Sequence, residues 1–173
     1  MPNQNYNTYL HIMNKELLHE RFEYKDGQLI YKISTGRRVK IGDVAGTIDT
    51  NGYRRISINK KRYMAHRLVW TYHNGEIQTG YQIDHMNGVK DDNRIENLRL
   101  ATPSQNSSNR PKNKINKSGF KGVSWHKRDK KWQADIMHNN KTIRLGLFAT
   151  PELAHDAYVG AATKHQGEFA FTK

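Results

Sequence analysis

The sequence predicts an α+β chain of two unlike parts, and three observations predict it. From Tyr53 to Arg110 the spacing of apolar residues changes repeatedly, reading as hairpin, helix, strand, long loop and helix. From Ser118 to Lys173 three short alternating runs precede one helical run, which reads as a small three-stranded antiparallel sheet packed on one helix. Between them "PKNKINKSG" is polar, basic and poor in apolar residues, as a linker is. The expected organisation is an N-terminal arm and leader over 1–50, a first domain over 51–110, a basic linker over 111–117 and a second domain over 118–173.

Residues 1–14 lack periodicity and read as a loose arm. In "NKELLHERFEY", Leu17, Leu18 and Phe22 stand at helical spacing after Asn14, a suitable N-cap. "GQLIYKIS" alternates as a strand, and the stretch from Ser34 to Ile58 is rich in turn residues. "YRRISI-NK-KRYMAHR" reads as a hairpin turning at Asn59–Lys60, and "HRLVWTYHNG" as a short helix stopped by Gly75. "YQIDH" is a short strand and "MNG" a turn. In "ATPSQNSSNRP", Thr102 caps a helix, Pro103 suits its first position, Gln105 completes a capping box, and Pro111 limits the far end. Asn106 then falls in the first or second turn.

In the C-terminal part, "GFKGVSWH" is the first strand. "KWQADIM" follows, with Trp132, Ala134 and Ile136 on one face and Gln133, Asp135 and Met137 on the other. "HNNK" is a hairpin turn, and "TIRLGLF" is the third strand, with Ile143, Leu145 and Leu147 expected inward and Thr142 and Arg144 outward. Thr150 caps and Pro151 starts a helix running to Gly167, with Ala154, Ala157, Tyr158, Ala161 and Ala162 forming a stripe of core-packing residues.

The chain of 173 residues is polar, yet 10% of its residues are aromatic, enough for packed cores. No apolar run approaches membrane-span length and no signal-peptide pattern opens the sequence, so neither a membrane partner nor export is expected. The absence of cysteine excludes disulfides and cysteine-ligated zinc, and fits a cytoplasmic setting. The net charge of +13 is uneven: +1 over 1–50, +5 over 51–110 and +7 over 111–173. With a pI near 9.9, that distribution points to a polyanionic partner, most simply nucleic acid.

The stretch "QIDHMNGVKDDNRIENLRLATPSQN" carries the chemistry. Cleaving a phosphodiester needs an activated water, a counter-charge for the transition state and help for the leaving oxygen, and a divalent cation supplies the last two. Hard cations choose oxygen ligands and keep several waters. Asp84 and Asn106 are a sparse but adequate pair, and His85, with an ordinary pKa of about 6.5, is suited to take a proton from water. Adjacent strand residues face opposite ways, so Asp84 and His85 share one site only if the strand ends there, which Asn87-Gly88 favours. Asn97 is placed to brace the long loop. Each residue also has an ordinary reading: Asp84 as a strand-end turn residue, His85 as a surface histidine, Asn97 and Asn106 as helix-boundary residues. Asp91 and Asp92 are rival ligands in a stretch that reads as a solvated turn, and His66 reads as structural.

The ordered set "AHRLVW", "IDHMNG", "DNRIENLR" and "ATPSQN" resembles the HNH endonucleases, specifically the zinc-free homing type common in bacteriophages, over roughly Tyr53 to Asn109. The resemblance implies a ββα-metal fold gripping one divalent cation. It assigns Asp84 and Asn106 as metal ligands, His85 as general base and Asn97 as the loop-bracing residue. An Asp and an Asn stand where better-known members place histidines, which favours Mg²⁺ or Mn²⁺ over zinc. "GFKGV", "KWQADI", "IRLGLF", "TPELAHDAY" and "GEFA" resemble the Apetala/ethylene-response-factor DNA-binding domain, whose sheet lies in the major groove. Lys121, Ser124, His126, Arg128, Lys131, Thr142 and Arg144 are the matching DNA-facing candidates. Ser124, His126 and Thr142 stand where arginine is frequent in plant members, so bidentate reading of guanine is weaker here. On the first domain's hairpin Arg54, Arg55 and Arg62 are further DNA-binding candidates.

The function expected is metal-dependent hydrolysis of double-stranded DNA by a phage-encoded endonuclease acting inside the host cell. A monomer that nicks is expected, with a dimer as the alternative. The rival from another class is a non-catalytic, sequence-specific DNA-binding regulator with a decayed nuclease segment. An RNA-binding structural protein is a weaker third, because no single-strand stacking module is visible.

Overall fold

A computed structural model describes residues 13–113, 115–139 and 141–172. The arm expected over 1–14 lies, up to residue 12, outside the described residues, as do residue 114 of the linker and residue 140 of the "HNNK" turn. The chain forms two compact units, each assembled from two stretches: Met1–Gln78 with Lys90–Leu98, and Thr79–Val89 with Arg99–Lys173.

In the first unit, helix α1 (Lys15–Arg21) starts where the Asn14 side chain accepts the Leu17 N–H at 3.0 Å. It ends one residue before Phe22, which helical spacing had put inside it. Phe22 opens strand β1 (Phe22–Lys25) and pairs with Tyr31 at the end of β2 (Gln28–Tyr31). The hairpin overrides helix propensity because it buries both rings, 5.2 Å apart, with Phe22 at 1% exposure. Its turn, Asp26–Gly27, has φ of 46° and 83°. A Cβ on Gly27 would lie 2.7 Å from the Arg94 backbone nitrogen, so only glycine fits there.

Strands β3 (Thr47–Ile48), β4 (Arg54–Ile58) and β5 (Lys61–Met64) form a sheet in that order, and the expected hairpin turns at Asn59–Lys60, both left-handed. Helix α2 (Ala65–Asn74) buries Ala65, Leu68 and Val69 and stops at Gly75, whose N–H donates to the Thr71 carbonyl at 3.0 Å. His66 is buried in α2 beside the Tyr53 ring, in keeping with a structural role. Helix α1 serves the end of α2: Lys15 Nζ donates to the His73 carbonyl at 2.9 Å, and His19, stacked 3.9 Å over Tyr72, bonds the Tyr72 carbonyl at 2.8 Å. Burial, and then the neighbouring His19 and Lys15, hold the His73 imidazole below its ordinary pKa.

In the second unit, β6 (Gln82–His85) lies beside β7 (Leu98–Ala101), and α3 (Pro103–Ser108) packs on β6. The capping box is formed: Thr102 Oγ1 accepts the Gln105 N–H and Gln105 Oε1 accepts the Thr102 N–H. Strands β8 (Val123–His126), β9 (Lys131–His138) and β10 (Lys141–Phe148) form an antiparallel sheet in the order β10-β9-β8. Helix α4 (Pro151–Gln166), capped by Thr150, lays Ala154, Tyr158 and Ala162 against Val123, Ala134 and Ile136. Among these, fully buried side chains of the size of Val123 and Ile136 contribute about 1.5–3 kcal/mol each, and the alanine methyls less than about 1 kcal/mol each. Gly122, at φ 72°, lets Tyr158 approach: a Cβ there would lie 2.2 Å from the ring.

One expectation fails in β10. Leu147 is exposed, and Phe148 packs in the core instead. The register shifts between Arg144 and Gly146, so Arg144 opposes Asp135 while Gly146 opposes Ala134. Leu145 is the extra residue of a β-bulge, and one extra residue reverses which side chains face inward beyond it.

Candidate functional site

Strand β6 is buried at Ile83, Asp84 and His85 in succession, so it is covered on both faces. It ends at His85, and the expected turn follows at once: the Gly88 N–H donates to the His85 carbonyl at 2.9 Å, and the Asn87 side chain accepts the Val89 N–H at 2.8 Å. Gln82 and Asp84 share one face of the strand, and Asn106 and Asn109 share one face of the helical turn beyond it. These faces meet. Asn106 Nδ2 donates to Gln82 Oε1 at 2.6 Å, while Asn109 Nδ2 lies 3.1 and 3.0 Å from the two Asp84 carboxylate oxygens and 2.8 Å from the His85 carbonyl.

Asp84, 5% exposed, is the centre of this arrangement. Arg99 on β7 donates from Nε to Asp84 Oδ2 at 2.9 Å, and its Nη2 lies at 2.9 Å from the same oxygen as an ion pair. Burying a carboxylate requires such partners, because an unpaired charge removed from water costs several kcal/mol. The same guanidinium donates from Nη1 to the Glu168 carbonyl at 2.7 Å and lies 3.8 Å over the Phe169 ring.

Of the residues singled out in the sequence, Asp84 and His85 end β6 and Asn106 bonds Gln82, whereas the direct partners of Asp84, Arg99 and Asn109, carried no sequence assignment. Spacing could have found Asn109, which stands three residues beyond Asn106 at the end of the same helix. Nothing local marks Arg99. Asn97 belongs to the other unit. Its Nδ2 donates to the Asp92 carbonyl at 2.7 Å, closing the loop that leads into the turn Ile95–Asn97. Asp91 and Asp92, the rival ligands, form ion pairs with Arg54 and Arg94 respectively, each at two distances of 3.0 Å or less.

Among the described residues no three His, Cys, Asp or Glu side chains cluster as a metal site. A cation at Asp84 would rest on few protein ligands, and the donor set suits a hard one. Asn106 uses its amide nitrogen on Gln82, which leaves its oxygen free to ligate, and Asp84 Oδ1 meets one contact, from Asn109, against three at Oδ2, one from Asn109 and two from Arg99.

The proposed DNA-facing residues divide. The strand register puts Ser124, His126, Lys131, Thr142 and Arg144 on the sheet face away from α4, and Arg128 lies in the β8–β9 turn. Ser124, Arg128, Lys131, Thr142 and Arg144 are exposed, while His126 is half-buried with Nδ1 3.2 Å from Asp129. Lys121 is elsewhere. It is half-buried, donates to the Ser108 carbonyl and lines a cavity of about 770 Å³, and burial brings its pKa down to about 8. Arg54 is held by Asp91 and the Gly46 carbonyl, and Arg55 by Asp49 at 2.6 Å, which depresses the Asp49 pKa. Arg62 is exposed on β5.

Residues 63–108 match the family model of the HNH endonucleases. The matched stretch contains Asp84, His85, Asn97 and Asn106 in one run. The chain is 42% identical over 76 residues to protein 3.8 of Escherichia phage T7, covering 44% of this chain and 63% of that one. It is 32% identical over 116 residues to an uncharacterised HNH endonuclease, L560, of Acanthamoeba polyphaga mimivirus, covering 66% of this chain and 59% of that one. The chain thus spans about three-fifths of the length of these curated relatives. A solved structure of the HNH homing endonuclease I-HmuI, described as binding and cleaving DNA, aligns over 87% of this chain and 86% of that one at 18% identity and a TM-score of 0.44. Among the described residues no helix is long and apolar enough to cross a membrane.

Proposed function

We propose that the chain hydrolyses phosphodiester bonds of double-stranded DNA at Asp84, His85 and Asn106. The observation that carries the reading is the pairing of Asp84 with Asn109 while Asn106 is anchored two residues upstream on the same strand face, all next to His85 inside or beside the HNH-matched stretch. Asp84 and Asn106 would hold Mg²⁺ or Mn²⁺, which when bound offsets the charge of the transition state and helps the leaving oxygen depart. His85 takes the proton from the attacking water. Arg99 and Asn109 hold the Asp84 carboxylate in place, so that little reorganisation is needed as charge develops. Asn97 braces the loop in the other unit. The exposed sheet face with Ser124, Lys131 and Arg144, in a segment of net charge +7, lies against the DNA and positions it. One such site per chain nicks one strand; cutting both needs a second copy or a second event. A phage-encoded enzyme of this kind acts inside the host cell.

The test is relaxation of supercoiled plasmid with Mg²⁺ by the wild type, His85→Ala and Asp84→Ala. We expect nicking by the wild type, its loss in EDTA, and a large loss in both variants. Undiminished cutting by both variants would overturn the assignment. Salt-dependent DNA binding with no metal-dependent cutting by the wild type would favour the regulator instead.

A further inference from the structure

Arg99 touches four groups at once, one of them the Glu168 carboxylate, 3.6 Å from Nη1. Its Nε and Nη2 face Asp84 Oδ2, its Nη1 faces the Glu168 carbonyl, and its plane covers the Phe169 ring at 3.8 Å. The side chain is only 12% exposed. Glu168 and Phe169 lie in a single 3-10 turn, Gly167–Phe169, at the end of α4, and Phe169 is itself buried. A guanidinium is planar, so a ring on its face and a carbonyl at one corner fix the direction of the remaining N–H groups. Those groups take one oxygen of Asp84. Asn109 spreads its amide over both oxygens and the His85 carbonyl. These contacts favour one orientation of the carboxylate, in which Oδ1 is the oxygen with fewer donors.

We propose that Arg99 is a positioning residue that lets the C-terminal turn Glu168–Phe169 set the orientation of the Asp84 carboxylate and hence its capacity to hold a divalent cation. The proposal rests on the metal-site reading above. Removing the fork frees the carboxylate to turn, and outer partners of a metal-binding carboxylate are worth about 10–100-fold in metal affinity. The opposing effect, relief of repulsion between Arg99 and the metal, would act in the other direction, so the sign of the change decides between them.

The experiment is Mn²⁺ binding to the full chain, followed by the loss of the free-ion electron paramagnetic resonance signal, with a thermal melt of each metal-free variant beside it. Arg99→Gln is expected to bind Mn²⁺ at least about tenfold more weakly, and Arg99→Lys, which returns one donor and the charge, to recover part of that loss. Phe169→Leu removes the aromatic face with the smallest loss of apolar volume, and is expected to weaken binding by about threefold while lowering the melting temperature by only a few degrees, so that the metal-free chain stays folded under assay conditions. Unchanged or tighter binding by Arg99→Gln overturns the proposal. If Arg99→Gln does not fold, Phe169→Leu decides, and wild-type affinity there overturns it. Asp84→Asn separates the two layers. If it binds Mn²⁺ like the wild type, the site reading falls and this inference with it; if it loses binding while Arg99→Gln does not, only this inference falls.

Discussion

Asn106 and Asn109 are the same residue type three positions apart, and they should fail in opposite ways. Asn109→Ala removes a donor that serves the buried Asp84 carboxylate and the His85 carbonyl. An amide has two hydrogens, so at most two full bonds are lost, one to a charged acceptor worth about 1.5–3 kcal/mol and one to a neutral acceptor worth about 1 kcal/mol. The expected cost is about 3 kcal/mol, which for a chain of this size lowers the melting temperature by about 6–12 °C. Asn106→Ala removes one exposed bond to Gln82 and should cost about 1 kcal/mol or less. Its effect should appear instead in Mg²⁺-dependent plasmid nicking. Thermal unfolding and nicking, measured on both variants, give the two-by-two comparison. Equal stability losses, or an Asn106→Ala protein that cuts like the wild type while melting several degrees lower, would refute the division of labour.

The bulge in β10 predicts that Phe148→Ala destabilises by about 2 kcal/mol whereas Leu147→Ala stays within about 0.5 kcal/mol in urea unfolding; the reverse order would restore uninterrupted alternation. Lys121 has a folded pKa of about 8 against an unfolded value near 10.5, so between these values the unfolded chain holds a proton that the folded chain has released. Its contribution to stability therefore rises with pH across that window. Lys121→Met should gain on the wild type at pH 7.5 and lose that advantage by pH 10, and a difference independent of pH would contradict the burial of this ammonium.

What was legible in the sequence is what local chemistry decides. Asn14, Thr102 with Gln105, Asn59–Lys60, Gly75 and Thr150–Pro151 act within four residues of themselves, and each sits where its chemistry demands. Asp84 stood out by its company, and the helix that reaches it was marked by its cap, but within that helix Asn106 bonds Gln82 and it is Asn109 that meets Asp84. The partners of Asp84 were not: Arg99 is 15 positions away and Asn109 is 25, distances at which no periodicity operates. Charge counting likewise gives no sign that Arg54 has a carboxylate partner, Asp91, 37 positions on. Phe22 went to a strand because Tyr31 was there to receive its ring. The bulge does have a local signal, a glycine inside a strand pattern at Gly146.

The two compact units exchange the chain at residues 78–79, 89–90 and 98–99, and all three passages fall within the HNH-matched stretch 63–108. Recombination that grafted a foreign tail after residue 110 would leave Asp84 and Arg99 behind while carrying off Glu168 and Phe169. The second unit therefore cannot be cut at that point without parting the Arg99 guanidinium from the carbonyl and the ring that hold it.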